Sequence, residues 1–200
     1  MAIAAPESPL TQIKTVLEHL QFPTYLMEAS AEIPFEQLLV SLDPESEQQV
    51  SLYVMQLMFS EDILHASAHE AVLPLEARTE NVTLQFFMDL PMTFAPERLL
   101  DTYRLVSAYN KLLPLGGLNL TEHGDKSGLF FHYAHVVERA HLSISVVVDI
   151  LETVQFFLTL FVPQLQAFQH NQKDLATVLQ ETEAAWEHAI ASLSAATSEV

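Results

Sequence analysis

The chain contains no cysteine, so neither a disulfide framework nor a thiolate nucleophile is open to it, and the small disulfide-stapled secreted class loses its signature. Glycine is scarce, four residues against ten prolines, and no tract of low complexity interrupts the sequence, so no flexible linker or disordered arm is expected. Positive charge is thin as well: eight Lys and Arg face 26 Asp and Glu, for a formal charge of −18 at pH 7. A chain of that sign repels phosphate backbones and anionic headgroups, which sets nucleic acid aside as a ligand. The same excess keeps a fairly apolar chain in solution and suits a basic partner.

What is present is apolar: half of the 200 residues are hydrophobic. That is enough for one domain burying roughly 70% of its unfolded surface. The expected organisation is a single α+β domain over residues 1–170 and a C-terminal amphipathic helix over 171–200. Met1 to Leu10 shows no basic region ahead of an apolar run, and Pro6, Glu7 and Pro9 interrupt it. No signal peptide is therefore expected, and the cytoplasm is the default location. The stretch from Leu142 to Val162 raises the question of a membrane span, but Asp149, Glu152 and Gln155 lie inside it. Two acids near a bilayer's centre are costly without a bundle to host them, so no membrane insertion is expected.

Periodicity supplies the elements. Ser8 and Pro9 form an N-cap and first-turn pair, and Leu10, Ile13, Val16, Leu17 and Leu20 recur at helical spacing up to Phe22-Pro23. The next dozen residues read as irregular. Leu38, Val40 and Leu42 then alternate as in a strand, Asp43-Pro44-Glu45-Ser46 makes a turn, and Val50, Leu52 and Val54 alternate again, giving an antiparallel pair over residues 37–59. Residues 60–80 carry no clean period and could hold a short helix or an extra strand. Val82, Leu84, Phe86, Met88 and Leu90 keep strict period two, with Pro91 expected to stop the strand. Pro96 and Glu97 open a helix with Leu99, Tyr103, Val106 and Leu113 on one face, ended by Pro114 and Gly116-Gly117. A hairpin follows, with Leu118 and Leu120 in one arm, residues 123–128 as the turn and Leu129 to Val137 as the other arm. Two helices finish the chain, one over residues 143–168 and one over about 171–196. The expected fold is thus α+β: an antiparallel sheet of about five strands packed against helices in α-β-β-β-α-β-β-α order, with an extra C-terminal helix.

From about Gln37 to Phe168 this order resembles the YbjN-like domain and the wider fold of the bacterial type III secretion chaperones. The resemblance is carried by Phe87-Met88-Asp89-Leu90-Pro91, by the Pro-Glu-Arg helix start at 96–98, and by residues 110–117, Asn-Lys-Leu-Leu-Pro-Leu-Gly-Gly, leading into a hairpin. It implies a non-enzymatic domain. The chaperone branch is acidic, usually dimeric, and holds an extended client segment; the YbjN-like branch is linked loosely to regulation and stress. The insert at 60–80 and the C-terminal helix depart from both.

Motifs that could carry chemistry are few. His65 and His69 stand at i, i+4 with Glu70 adjacent, a metal-pair spacing that lacks a third and fourth convergent ligand. His132 and His135 fall on opposite faces of a strand and cannot share one metal. Residues 124–128, Gly-Asp-Lys-Ser-Gly, match neither a phosphate loop nor a nucleophile elbow, and a hairpin turn accounts for them. The glycosylation sequons at Asn81 and Asn119 lie in predicted strands of a chain without a secretion signal. No pair of carboxylates is singled out by order or spacing, so no catalytic residue, cofactor or metal is assigned.

The remaining signal is the narrow polar stripe of the 143–168 helix, which leaves more apolar surface than one sheet covers. The sequence therefore predicts a non-catalytic protein-interaction module that binds itself, as a homodimer, or a client protein. Val147, Leu151, Val154, Phe157, Leu158 and Phe161 are its expected contacts. A metal-dependent or carboxylate-based enzyme and a structural subunit of a larger assembly are the alternatives.

Overall fold

Pro9, with its fixed φ and missing N–H, starts helix α1 (Pro9–His19), and Leu10, Ile13 and Leu17 are its fully buried face. Ser8 does not cap this helix. Its hydroxyl donates instead to the Glu36 carboxylate at 2.5 Å. The helix ends in a Schellman turn, with the Phe22 N–H on the Leu17 carbonyl and the Gln21 N–H on that of Glu18; Gln21 takes the left-handed position, at φ 66°. The computed structural model describes residues 8–43, 52–67, 81–123, 126–138 and 141–197.

Four antiparallel strands follow in register. Strand β1 (Thr24–Met27) pairs with β2 (Gln37–Ser41), which pairs with β3 (Val54–Phe59), which pairs in turn with β4 (Asn81–Phe94). Helix α2 (Ser60–Ser67) leaves β3 directly, and the Glu61 carboxylate accepts the Thr83 N–H with both oxygens at 3.1 Å. Beyond β4 come a 3-10 turn (Pro96–Arg98), helix α3 (Leu99–Asn110), strands β5 (Gly117–His123) and β6 (Lys126–Glu138), and helices α4 (Ile144–Gln169) and α5 (Leu175–Thr197). The strand order is β1-β2-β3-β4-β6-β5.

The α+β class, the antiparallel sheet and the extra C-terminal helix match the sequence reading. Several local features differ. Leu52, expected inside the second strand, precedes β3 and is exposed. Tyr103, expected on the packed face of the helix after Pro96, is exposed, while Thr102, Leu105, Val106 and Tyr109 are buried. Residues 24–27 form a strand where irregular chain is expected, because β2 offers them a partner: Tyr25 lies opposite Leu39. The first part of the 60–80 segment takes one of its two expected forms, a short helix, as α2. Strand β4 also runs through Pro91 to Phe94. The register that sets Gln56 against Phe87 brings β3 to its first residue, Val54, opposite Asp89. Pro91 therefore lies past the end of β3's pairing, on a stretch of β4 that has no β3 neighbour. The turn expected at 43–46 lies, but for Asp43, outside the described residues. Of the turn expected at 123–128, His123 ends β5 and Lys126, Ser127 and Gly128 already belong to β6, so the strands take in most of that segment and only 124–125 lie outside the described residues.

The chain divides into two compact units. The first takes Met1–Leu90, Leu115–Gly117 and Phe130–Leu151; the second takes Pro91–Pro114, Leu118–Leu129 and Glu152–Val200. In the first unit α1 lies against β1 and β2. The inner sheet face stacks Leu38, Leu57 and Phe86 in one row across three strands, and Val40 with Met55 in the next, all with no exposed surface. Full burial of side chains of this size contributes about 1.5–3 kcal/mol each. Gly116, at φ 63°, lies so close to Phe131 and His132 that a Cβ there would sit 2.6 Å from the Phe131 ring and 2.8 Å from the His132 carbonyl oxygen.

In the second unit the core is built on aromatic rings. Phe157 stacks on Trp186 and touches Phe161, which stacks on Tyr109 with centroids 4.2 Å apart. The Tyr109 hydroxyl meets Thr182 Oγ1 at 3.1 Å, and Thr182 donates onward to the Val178 carbonyl at 2.8 Å. With that donation made, Thr182 is the acceptor for Tyr109. Arg98 lies over the Phe168 ring, 3.6 Å from its centroid, and donates to the Phe168 carbonyl and the Asn171 side chain at the C-terminus of α4. Asp174 caps α5 by accepting the Thr177 N–H at 2.8 Å, which holds its carboxyl below the usual range. At β5 the Asn110 side chain accepts the Leu118 N–H at 2.8 Å and donates to the Leu118 carbonyl at 2.9 Å, occupying the backbone pair that points away from β6.

Candidate functional site

The six expected contacts on α4 are divided between the two units. Val147 and Leu151 belong to the first and are fully buried; Val154, Phe157, Leu158 and Phe161 belong to the second. Of these four, only Leu158 is half-buried rather than buried. The apolar flank that a single sheet could not cover is met, within the second unit, by the chain's own rings: Trp186 of α5 on Phe157 and Tyr109 of α3 on Phe161. By length and composition α4 could cross a membrane, at mean hydropathy 1.8, and 39% of that window is buried within the chain.

His65 is exposed on α2, and His69 lies outside the described residues. His132 is exposed while His135 is half-buried beside Tyr133, so they occupy the two faces of β6. The sequons at Asn81 and Asn119 lie in β4 and β5. Among the described residues no three His, Asp or Glu side chains converge as a metal would need.

Among the described residues, the first unit carries a partly exposed surface on the sheet face turned away from Leu38, Leu57 and Phe86. Register places Tyr25, Leu39, Gln56 and Phe87 in one line across β1 to β4, and Phe130 of β6 extends it, its ring 5.3 Å from that of Phe87. Five strands at about 4.8 Å spacing make a row about 19 Å long. Tyr25 is 65% exposed, and Leu39, Phe87 and Phe130 are half-buried. Farther along β6, Val136 projects from the same face, also 65% exposed. Beside the row a polar line runs from His132 Nε2 to Gln85 Oε1 at 2.5 Å, and from Gln85 Nε2 to Ser60 Oγ at 2.5 Å. Toward α2 the face closes, with Gln37 and Met58 buried.

Two Phe-Phe doublets build the centre of this row. In a strand, adjacent side chains point to opposite faces, so Phe86-Phe87 and Phe130-Phe131 each send one ring inward and one outward. Phe86 and Phe131 are buried; Phe87 and Phe130 meet on the outside. The doublets are visible in the sequence. Strict alternation through Phe86 accounts for β4 without Phe87, so its presence among Thr83, Gln85 and Asp89 passes unread unless each polar-face position is checked.

No family model, no curated protein and no solved structure matches this chain.

Proposed function

We propose that the chain is a non-catalytic protein-interaction module, and that its contact surface is the outer sheet face of the first unit. The observation that carries this reading is the row from Tyr25 to Phe130. An antiparallel sheet with one solvated face ordinarily keeps that face polar, whereas this one presents Tyr25, Leu39, Phe87 and Phe130 together. Apolar side chains gathered on a sheet face among polar groups, here two pairs either side of Gln56, are the surface chemistry of protein recognition. Aromatic rings contribute most there, because they desolvate large areas at small cost in side-chain entropy. The reading moves the contact from α4, where most of the expected residues are interior, to β1–β4 and β6. It does not depend on the chaperone resemblance.

A photoreactive phenylalanine analogue at position 25, expressed in the native host, tests it. A discrete adduct with another protein is expected from position 25 and not from position 107, which is exposed on α3 in the second unit. The same adduct from both positions, or none from position 25, rejects the sheet face as the contact surface.

A further inference from the structure

We infer that the occupant of this face is a basic amphipathic helix supplied by another protein. The inference rests on the interaction reading and adds to it the partner's shape and charge.

Shape comes from the sheet. A sheet that is apolar on both sides is stable only when each side is covered, and helices are the usual cover in α+β folds. The inner face has α1 against β1 and β2. On the outer face the row of about 19 Å, apolar at every position but Gln56, matches about 13 residues of α-helix at a rise of about 1.5 Å per residue. A helix presenting apolar side chains at i, i+3, i+4 and i+7 meets such a row along one stripe.

Charge comes from what surrounds the row. Among the described residues of the first unit, Lys14 is the one Lys or Arg side chain, and it is paired on α1 with Glu18 at 2.9 Å. Every other Lys, Arg, Asp or Glu there is a carboxylate. Asp89 is exposed on the outer side of β4, two positions from Phe87, and the register sets it opposite Val54 on the flank of the row. Asp43 follows the outward-facing Ser41 of β2 toward that same flank, while Asp62 opens α2 on the other. An apolar row between carboxylates favours a helix whose apolar stripe is bordered by Lys or Arg, and disfavours the same helix bordered by Glu.

The test uses the full chain and three dye-labelled helical peptides read by fluorescence anisotropy. One has a Leu/Phe stripe bordered by Lys, the second the same stripe bordered by Glu, and the third the first composition scrambled so that no stripe forms. The basic striped peptide should bind about tenfold more tightly than either other peptide at low salt, with the margin over the acidic one shrinking as salt is added. Asp89→Lys should weaken the basic peptide about threefold and strengthen the acidic one. Tyr25→Ser, at an exposed position that does not threaten the fold, should weaken both striped peptides about equally. If the acidic and basic striped peptides bind alike, the charge inference falls and the interaction module stands. If the scrambled peptide binds as well as the striped one, or if none binds, the helix inference falls, and the interaction module is decided separately by the adduct at position 25.

Discussion

At the scale of single residues, the pair Tyr109 and Thr182 makes an asymmetric prediction. Tyr109 is fully buried, and its hydroxyl depends on Thr182, whereas Thr182 keeps its own bond to the Val178 carbonyl. Thr182→Val strands the phenol in the interior, which costs about 1–3 kcal/mol. Tyr109→Phe removes the group that needed a partner and should cost about 1 kcal/mol or less. Urea midpoints should therefore order as wild type, Tyr109→Phe, Thr182→Val, and the double variant should recover part of the Thr182→Val loss. The reverse order for the two single variants contradicts this account of the contact. Burial also pushes the Tyr109 phenol up to about 12, with the Thr182 hydrogen bond opposing the rise. A phenol whose pKa is raised in the folded state stays protonated there while the unfolded chain ionises. Its stabilising contribution is thus intact below about pH 10 and is lost as pH climbs to about 12, a fall of about 2–3 kcal/mol. The stability difference between wild type and Tyr109→Phe, measured from pH 9 to 12, should shrink and then change sign across that window, because the fall exceeds the starting gap of about 1 kcal/mol or less.

Among the elements, α4 shows how far periodicity reaches. Its span is readable from the sequence to within a residue at each end, and so is the need for something to cover its second flank. What covers that flank depends on where α3 and α5 end up, which is a matter of long-range packing. Phe157 has 4% of its surface exposed, between Trp186 and Phe161. Phe157→Asp should consequently unfold the second unit, through loss of a buried ring worth about 3–5 kcal/mol and burial of a charge in its place. A red-shifted Trp186 emission and a broadened thermal transition would show it. A variant with wild-type emission and melting but a changed sedimentation coefficient would return Phe157 to a subunit interface. Strand β1 was illegible for a related reason: four residues with Tyr25 exposed hold no pattern of their own, and β2 makes them a strand. The candidate site was half legible. Its rings stand in plain doublets, but their convergence follows from a register that joins β1, β2, β3 and β4 across up to 62 positions, from Tyr25 to Phe87.

For the molecule as a whole, the charge of −18 is a standing load on the fold. Like charges held at folded-state distances repel more than in the expanded chain, and salt relieves the difference as the screening length drops from about 10 Å at 0.1 M to about 3 Å at 1 M. The melting temperature should rise with sodium chloride over this range; a flat or falling trend would mean that the ion pairs Lys14–Glu18, Arg104–Asp101 and Lys173–Glu181 outweigh the repulsion. Repulsion also discourages copies from meeting, but it fades in the very salt that steadies the fold. A safeguard independent of ionic strength is then needed at the sheet margin. The Asn110 clamp on Leu118 is of that kind: its side-chain amide fills one of the hydrogen-bonding slots that an incoming chain would use to prolong the sheet, so the start of β5 offers a shorter template for stacking molecules into fibrils even when charge no longer keeps them apart.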